Sequence, residues 1–282
     1  MSLPCRRRVR PAVAVIVAAA LVAGAGLGVE LLARQRRGGV SNRFPVPTEQ
    51  SFDGGFNFCR AAFQTGRSRR GSGWSVDYPR ADVNLSIRLS ELTRTRVSFD
   101  AAKEPRHFVL PLSDPSLFRC PFVMMTEPGG LVLDDEEVLR LREYLQKGGF
   151  LWADDFWGSV AWDMFEREMR RVLPADQYPL RDLDKDHPLF RMQFPVEAVK
   201  QIPSINFWAG TGGGTSENGS DSALPRARAF VDTKGRVLVL ATHNTDYGDS
   251  WEREGDDPAY FYAFSVDGYA FGINVVLYAL TH

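Results

Sequence analysis

Asp134-Asp135-Glu136-Glu137-Val138-Leu139-Arg140-Leu141-Arg142-Glu143-Tyr144-Leu145-Gln146-Lys147-Gly148-Gly149-Phe150-Leu151-Trp152-Ala153-Asp154-Asp155 holds a helix, its stop and a buried strand in succession. Asp134 is followed three residues later by Glu137, the spacing at which an N-cap carboxylate and a glutamate exchange hydrogen bonds with each other's backbone N–H. Val138, Leu141 and Leu145 then fall on one helical face. Gly148 suits the left-handed residue that ends a helix, because it has no Cβ to clash there. Phe150 to Ala153 is apolar on both sides, as a strand covered by helices on two faces must be. Asp154 and Asp155 land just beyond that strand, where open parallel sheets place their ligands.

The alternation extends in both directions. Upstream, Phe56 to Phe63 reads as a first strand and Tyr78 to Leu92 as a helix with Leu85, Leu89 and Leu92 on one face; short strands follow at Arg96 to Phe99, His107 to Leu110 and Phe122 to Met125. Downstream, a helix from Ser159 to Leu173 buries Trp162, Phe165, Met169 and Val172 and stops at Pro174. Gly210 to Ser222 reads as a flexible loop, and Arg228 to Val231 and Arg236 to Ala241 as strands joined through Asp232-Thr233-Lys234-Gly235. A last helix starts near Tyr269 and carries Ile273, Val276, Leu277 and Leu280 inward. Strands alternating with helices predict one α/β domain over residues 52–282, a mainly parallel sheet flanked by helices.

The first 33 residues read as a basic segment followed by a transmembrane or signal anchor, and residues 34–51 as a polar tether with Gly38-Gly39 and two prolines. Arg6, Arg7, Arg8 and Arg10 precede an uncharged run from Pro11 to Val29, which at about 1.5 Å per helical residue nearly spans a hydrocarbon core of roughly 30 Å. Ala23-Gly24-Ala25 offers a signal-peptidase site, so export with cleavage near Ala25 stands beside a retained single-pass anchor. The apolar character continues through Leu27, Val29, Leu31 and Leu32, which favours retention. Four arginines and the amino terminus precede the run and three arginines closely follow it, and this asymmetry places the main domain outside the cytoplasm.

Eight of the 34 basic residues but one of the 35 acidic residues lie in residues 1–43, so the rest carries 26 basic and 34 acidic side chains, a formal charge of −8. Such a surface repels polyanions, which excludes general nucleic-acid binding. The three cysteines, Cys5, Cys59 and Cys120, have no metal-ligand spacing. Cys59 and Cys120 are expected to be buried free thiols, although they are the pair that could join outside the cytoplasm.

Two strand ends carry candidate chemistry. One is Asp154-Asp155, of which one carboxylate is expected to face a pocket and the other to cap the next helix. The other is the stretch holding His243, Asn244, Asp246, Asp249 and Trp251, which supplies a base, carboxylates and an aromatic platform, and suits Asx turns as well. Asp154, Asp155, His243 and Asp246 are thus catalytic candidates, and Asn244, Asp249 and Trp251 ligand-binding candidates. His187, before Pro188, reads as a structural turn, and Arg67, Arg69 and Arg70 as a solvated loop. No G-x-S-x-G, H-E-x-x-H, Walker A or G-x-G-x-x-G motif is present, and neither cofactor nor resident metal is implied.

Phe56-Asn57-Phe58-Cys59-Arg60, Trp74, Asp77-Tyr78-Pro79, Asn84-Leu85, Glu91-Leu92-Thr93, Leu141-Arg142, Tyr144-Leu145, Gly148-Gly149-Phe150-Leu151, Asp154-Asp155-Phe156, His187-Pro188-Leu189-Phe190, Gly272-Ile273-Asn274 and Tyr278-Ala279-Leu280-Thr281 follow one another in an order that resembles the bacterial domain of unknown function 4159. The resemblance runs from Phe56 to the end. It implies a fold similar to class I glutamine amidotransferases, with flavodoxin-like layering and no established activity. It also implies an exported or membrane-anchored protein of the cell envelope, associated with MoxR-type ATPases and von Willebrand factor A proteins. Amidotransferase chemistry needs a cysteine on a sharp strand-to-helix turn. Cys120 precedes its strand and Cys59 lies inside one, so the nucleophile is absent.

The expectation is therefore a membrane-anchored extracytoplasmic module that binds or assembles with an envelope partner without catalysis. The alternative is a hydrolase of envelope sugars or peptides using Asp154 or Asp155 with His243 or Asp246, or a bound divalent ion.

Overall fold

The computed structural model describes residues 47–66 and 73–282. The expected anchor and most of the tether, with Arg67, Arg69 and Arg70, lie outside the described residues. In chain order the strands are β1 (Phe58–Ala62), β2 (Gln64–Thr65), β3 (His107–Pro111), β4 (Phe122–Thr126), β5 (Leu131–Val132), β6 (Phe150–Asp154), β7 (Leu180–Leu183), β8 (Arg226–Val231) and β9 (Val237–His243). Seven of them form one sheet in the order β3-β1-β4-β6-β9-β8-β7, and β2 pairs with β5 apart from it. The first five in that order run parallel, while β8 is antiparallel to both β9 and β7.

The chain leaves β1 toward β3 on one side and returns to β4 on the other. Connections from β1 and β4 therefore diverge and open a crevice at their carboxyl ends. The sheet is covered on both faces, as its apolar strands require. Phe58, Phe122, Phe150 and Trp152 pack with Leu85 and Leu89 of helix α1 (Arg80–Leu92) and with Phe271, Ile273 and Val276 near the C terminus. Cys59, Val123, Leu151 and Ala153 point to the other face, toward Val138, Leu141 and Leu145 of α2 (Asp135–Gln146) and Trp162, Phe165 and Met169 of α3 (Gly158–Val172).

The reading of α2 and β6 agrees with the structure at the level of individual bonds. Asp134 Oδ1 accepts from Glu137 N at 2.8 Å, and Glu137 Oε2 accepts from Asp134 N at 3.1 Å. Gly148 has φ +105°. At Gly149 an added Cβ would lie 2.3 Å from the Tyr144 ring, so the turn from α2 into β6 depends on its having no side chain. Tyr144 locks that turn by donating its hydroxyl to Cys120 O at 2.8 Å.

Four expectations need correction. Cys59 and Cys120 are buried but joined in a disulfide. The pairing of β1 with β4 sets Cys59 opposite Val123, so the two cysteines arrive on one face with Cα atoms 6.1 Å apart, within disulfide reach. Gly210 to Ser222 is not one continuous loop: it begins in the last turn of α4 (Ile205–Thr211) and ends in a 3-10 turn at Gly219–Ser222. Arg96 to Phe99 forms single bridges, Val97 to Phe56 and Phe99 to Pro105, and no continuous strand. The stretch after β9 is not an open loop, since Tyr247–Glu252 forms a short helix, α5.

The C-terminal helix begins earlier than its apolar spacing suggests. A turn at Pro258–Tyr260 and a π-helical segment at Phe261–Ser265 lead into α6 (Val266–Thr281). Among the described residues Pro258–Thr281 is long and apolar enough to cross a membrane, with 24 residues and a mean hydropathy of 1.4. Two-thirds of its most apolar window is buried inside the domain, however, and it supplies much of the cover over one sheet face. A helix enclosed on most sides has no need of a polar stripe.

Candidate functional site

The crevice at the carboxyl ends of the strands is lined by acids. Among the described residues five non-glycine residues have positive φ, and four of them lie here: Asp77 (62°) in the connection after β1, Glu127 (47°) after β4, Asp155 (59°) after β6 and Asn244 (64°) after β9. Left-handed backbone crowds Cβ, and short polar side chains such as Asp and Asn tolerate it best. Such conformations cost about 1 kcal/mol or more each and gather where a site needs a side chain aimed off the strand direction.

Behind the crevice stands a buried cation. Arg60 of β1 and Asp82 of α1 are both fully buried and form a forked ion pair, with Nε 3.2 and 3.1 Å from the two carboxylate oxygens and Nη2 closer still. The remaining guanidinium donor, Nη1, is shared by Val76 O at 2.8 Å, Trp74 O at 3.1 Å and Thr126 Oγ1 at 2.6 Å. Arg60 thus fixes the segment that carries Asp77, and its own charge is committed to Asp82.

The remaining carboxylates have weaker compensation. Asp77, Asp246 and Asp249 bring one oxygen each within 4.8 Å of one another, and all three are buried. Asp246 caps α5 by accepting from Asp249 N at 2.8 Å. Asp249 Oδ2 accepts from Ile205 N at 2.6 Å and from the Tyr260 hydroxyl at 3.2 Å. Arg253 approaches from the rim, its Nε 3.5 Å from Asp249 Oδ1. Asp77 Oδ2 has no hydrogen-bond partner. Asp155 accepts from Trp157 Nε1 at 3.0 Å, and Glu127 accepts from Gly73 N at 2.7 Å.

The sequence candidates do not all meet there. Asp155, Asp246 and Asp249 join the crevice. Asp154 lies beneath it, accepting from Tyr247 N at 2.8 Å, Gly248 N at 3.1 Å and the Thr242 hydroxyl, and so ties β6 to α5. His243 points to the opposite sheet face, between Phe156 and Trp162, with Nε2 2.9 Å from Gly158 O and Nδ1 unpartnered. Strand alternation explains the split, because Thr242 and His243 must face opposite ways. Asn244 is a clamp, accepting from Gly158 N at 2.8 Å and donating to Leu224 O at 2.9 Å. Trp251 is no platform: it is fully buried, its ring centroid 5.4 Å from that of Trp152. His187 caps the 3-10 turn Pro188–Arg191 by accepting from Leu189 N. Asp77, Glu127 and Arg60 were not named as site residues from sequence, although Asp77 and Arg60 lie in stretches that carry the family resemblance and Asp77 and Glu127 each sit in a connection leaving a parallel strand.

Residues 61–280 match the family described as Domain of unknown function (DUF4159). The chain belongs to this family. No curated protein matches it. In this DUF4159 domain the matched span takes in every carboxylate of the crevice, from Asp77 to Asp249. Cys59 and Arg60 lie just before its start, and Cys120 lies within it.

Burial dominates the electrostatics of the DUF4159 crevice. Asp154 is pushed up to about 7 by desolvation, against the pull of its hydrogen-bond donors, the Thr242 hydroxyl and the backbone N–H groups of Gly248, Tyr247 and Asp155. Asp77, Asp155 and Asp246 are also held well above the usual carboxylate range, first by burial and then by repulsion from one another and from Asp249. A raised carboxyl pKa means the folded protein keeps protons that the unfolded chain has released. Its stabilising contribution is complete below the unfolded value of about 4 and is lost as pH rises toward the folded value, here about 7 for Asp154. In chelator-containing buffer these carboxyls should therefore lower the melting temperature by several degrees from pH 5 to pH 8, outweighing the opposite trend of the single His243, which burial lowers to about 4. Asp154→Asn should flatten that slope, since an amide can accept from Tyr247 N and Gly248 N and donate to Thr242. A melting temperature that rises from pH 5 to pH 8 would contradict this account.

Proposed function

We propose that this DUF4159 protein is a membrane-tethered extracytoplasmic module that binds or assembles with an envelope partner without catalysis, using the acid-lined carboxyl end of its sheet as the contact face. The observation that carries this reading is the separation of the would-be catalytic groups. A hydrolase that pairs His243 with Asp154, Asp155 or Asp246 needs the imidazole and the carboxylates on one side of the sheet. They sit on opposite sides, and burial lowers His243 to about 4, so the ring is neutral yet faces Phe156 and Trp162.

Two further observations support the reading. Five parallel strands in the order β3-β1-β4-β6-β9 suit flavodoxin-like layering, and with it an amidotransferase-like scaffold reused without its nucleophile, since Cys59 and Cys120 are bonded to each other. A disulfide persists in oxidising compartments, in keeping with a domain held outside the cytoplasm by residues 1–33. A MoxR-type ATPase or von Willebrand factor A system remains the partner class that the family resemblance suggests.

The test is a pull-down of the full chain, tagged at its C terminus, from detergent-solubilised membranes. Asp155→Ala should lose partners that wild type and His243→Ala both retain, because only Asp155 faces the crevice. Equal retention by both variants would move the contact away from this end of the sheet. Protease treatment of intact cells should cut the tag, and full protection would contradict the outward placement.

A further inference from the structure

We infer that Asp77, Asp246 and Asp249 form a binding site for a hard divalent cation at the carboxyl end of the sheet. The inference deepens the preceding reading, because it names a ligand class for the same crevice. Three oxygens within 4.8 Å of one another match the span that one ion bridges, since calcium holds its oxygens at about 2.4 Å and two such ligands are at most about twice that apart.

The independent sign is Asp77. Its side chain is 7 % exposed, and Oδ2 is buried with no hydrogen-bond partner. Buried carboxylates are ordinarily paired, hydrogen-bonded or bound to metal, so an orphaned oxygen among acids leaves a place that a bound cation would fill. The orphan points into the cluster: a Cβ built on Gly248 would lie 2.4 Å from Asp77 Oδ2 and 3.4 Å from Asp246 Oδ1. Glycine at 248 is thus what lets α5 close on Asp77.

Among the described residues no basic side chain fills the role. Arg60, the nearest cation behind Asp77, is spent on Asp82 and on carbonyls, and Arg253 reaches only Asp249 at the rim. The donors are all carboxylate oxygens, with no imidazole or thiolate, which selects calcium, magnesium or manganese over softer ions. The three are also held in place before any ion arrives, Asp77 by its left-handed backbone and the Arg60 anchor, Asp246 and Asp249 by the first turn of α5.

The test uses the purified full chain, stripped with chelator and titrated with CaCl2, MgCl2 or MnCl2 at pH 7.5, read by calorimetry and by thermal melting. At an ion concentration about 100-fold above the dissociation constant, Tm should rise by roughly 5–10 °C with at least one of the three. Asp77→Asn should lose at least tenfold in affinity and most of that rise, while melting without ions no lower than stripped wild type, since one buried charge has gone. The inference is overturned if none of the three ions gives binding heat or a Tm shift with wild type, or if Asp77→Asn responds as wild type does. Partner capture repeated with chelator and with the bound ion separates the two readings. Capture by a protein that binds no ion overturns this inference and leaves the binding module standing; ion binding with no partner captured does the reverse.

Discussion

Arg60→Ala should be the most damaging single substitution in the domain, costing about 3–5 kcal/mol in urea denaturation. The change removes the counter-ion of Asp82, whose carboxylate is fully buried, and leaves Trp74 O, Val76 O and Thr126 Oγ1 without their shared donor. It also withdraws the positive charge that draws Asp77 down against its burial. The size of the effect comes from stranding a charge, and a second variant separates that from lost packing. Arg60→Met combined with Asp82→Leu removes both charges at similar volume and should recover most of the loss, because a buried ion pair replaced by apolar groups is often neutral or better. If the double variant is as unstable as Arg60→Ala, the pair's value lies in its shape and its hydrogen bonds to the 74–76 segment. An Arg60→Ala protein within 1 kcal/mol of wild type would show that the pair does not organise this end of the sheet.

Breaking the Cys59–Cys120 bond should cost nearly as much. The two residues are 61 apart in sequence, and closing a loop of that size removes unfolded-chain entropy worth about 4 kcal/mol. For a domain of this length the loss corresponds to a fall in Tm of about 10 °C, measurable for the Cys59→Ser/Cys120→Ser double variant against wild type. Both sulfurs are buried on the face covered by α2 and α3, so a reductant should act only on molecules that have opened. Reduction at 25 °C should then be slow and accelerate with urea. Two thiols that titrate freely in protein taken from an oxidising compartment would rule out the bond.

What was legible in the sequence was local. The capping box at Asp134 and Glu137, the glycine stop at Gly148 and the apolar run of β6 are each settled by residues within a few positions, and each formed as expected. The crevice was half legible. Asp155, Asp246 and Asp249 were found because they follow strands, but Asp77 and Glu127 join them only through the strand order, which places the ends of β1 and β4 beside those of β6 and β9. Nothing near Asp77 in sequence announces that order. α5 was read as a loop because six residues are too few for a helical period to show, and Trp251 was read as an aromatic platform because it follows the strand end in a polar stretch. In space its neighbours are Trp152, Gly272 and Leu85, brought from elements far away along the chain. The cysteine pairing was missed for the same reason, since only the β1–β4 register sets the two on one face.

The late position of α6 turns assembly into a race. The sheet face bearing Phe58, Phe122, Phe150 and Trp152 lacks much of its cover until α6 leaves the ribosome, because that helix follows every strand of the sheet in chain order. During that interval the 24-residue segment Pro258–Thr281 is not yet packed on the sheet, and its length and mean hydropathy are those of a segment able to cross a membrane. Docking on the sheet and insertion in the bilayer then compete for one piece of chain, and the aromatic pocket must win quickly for the domain to stay on the aqueous side. Any substitution that delays the sheet would tip that contest.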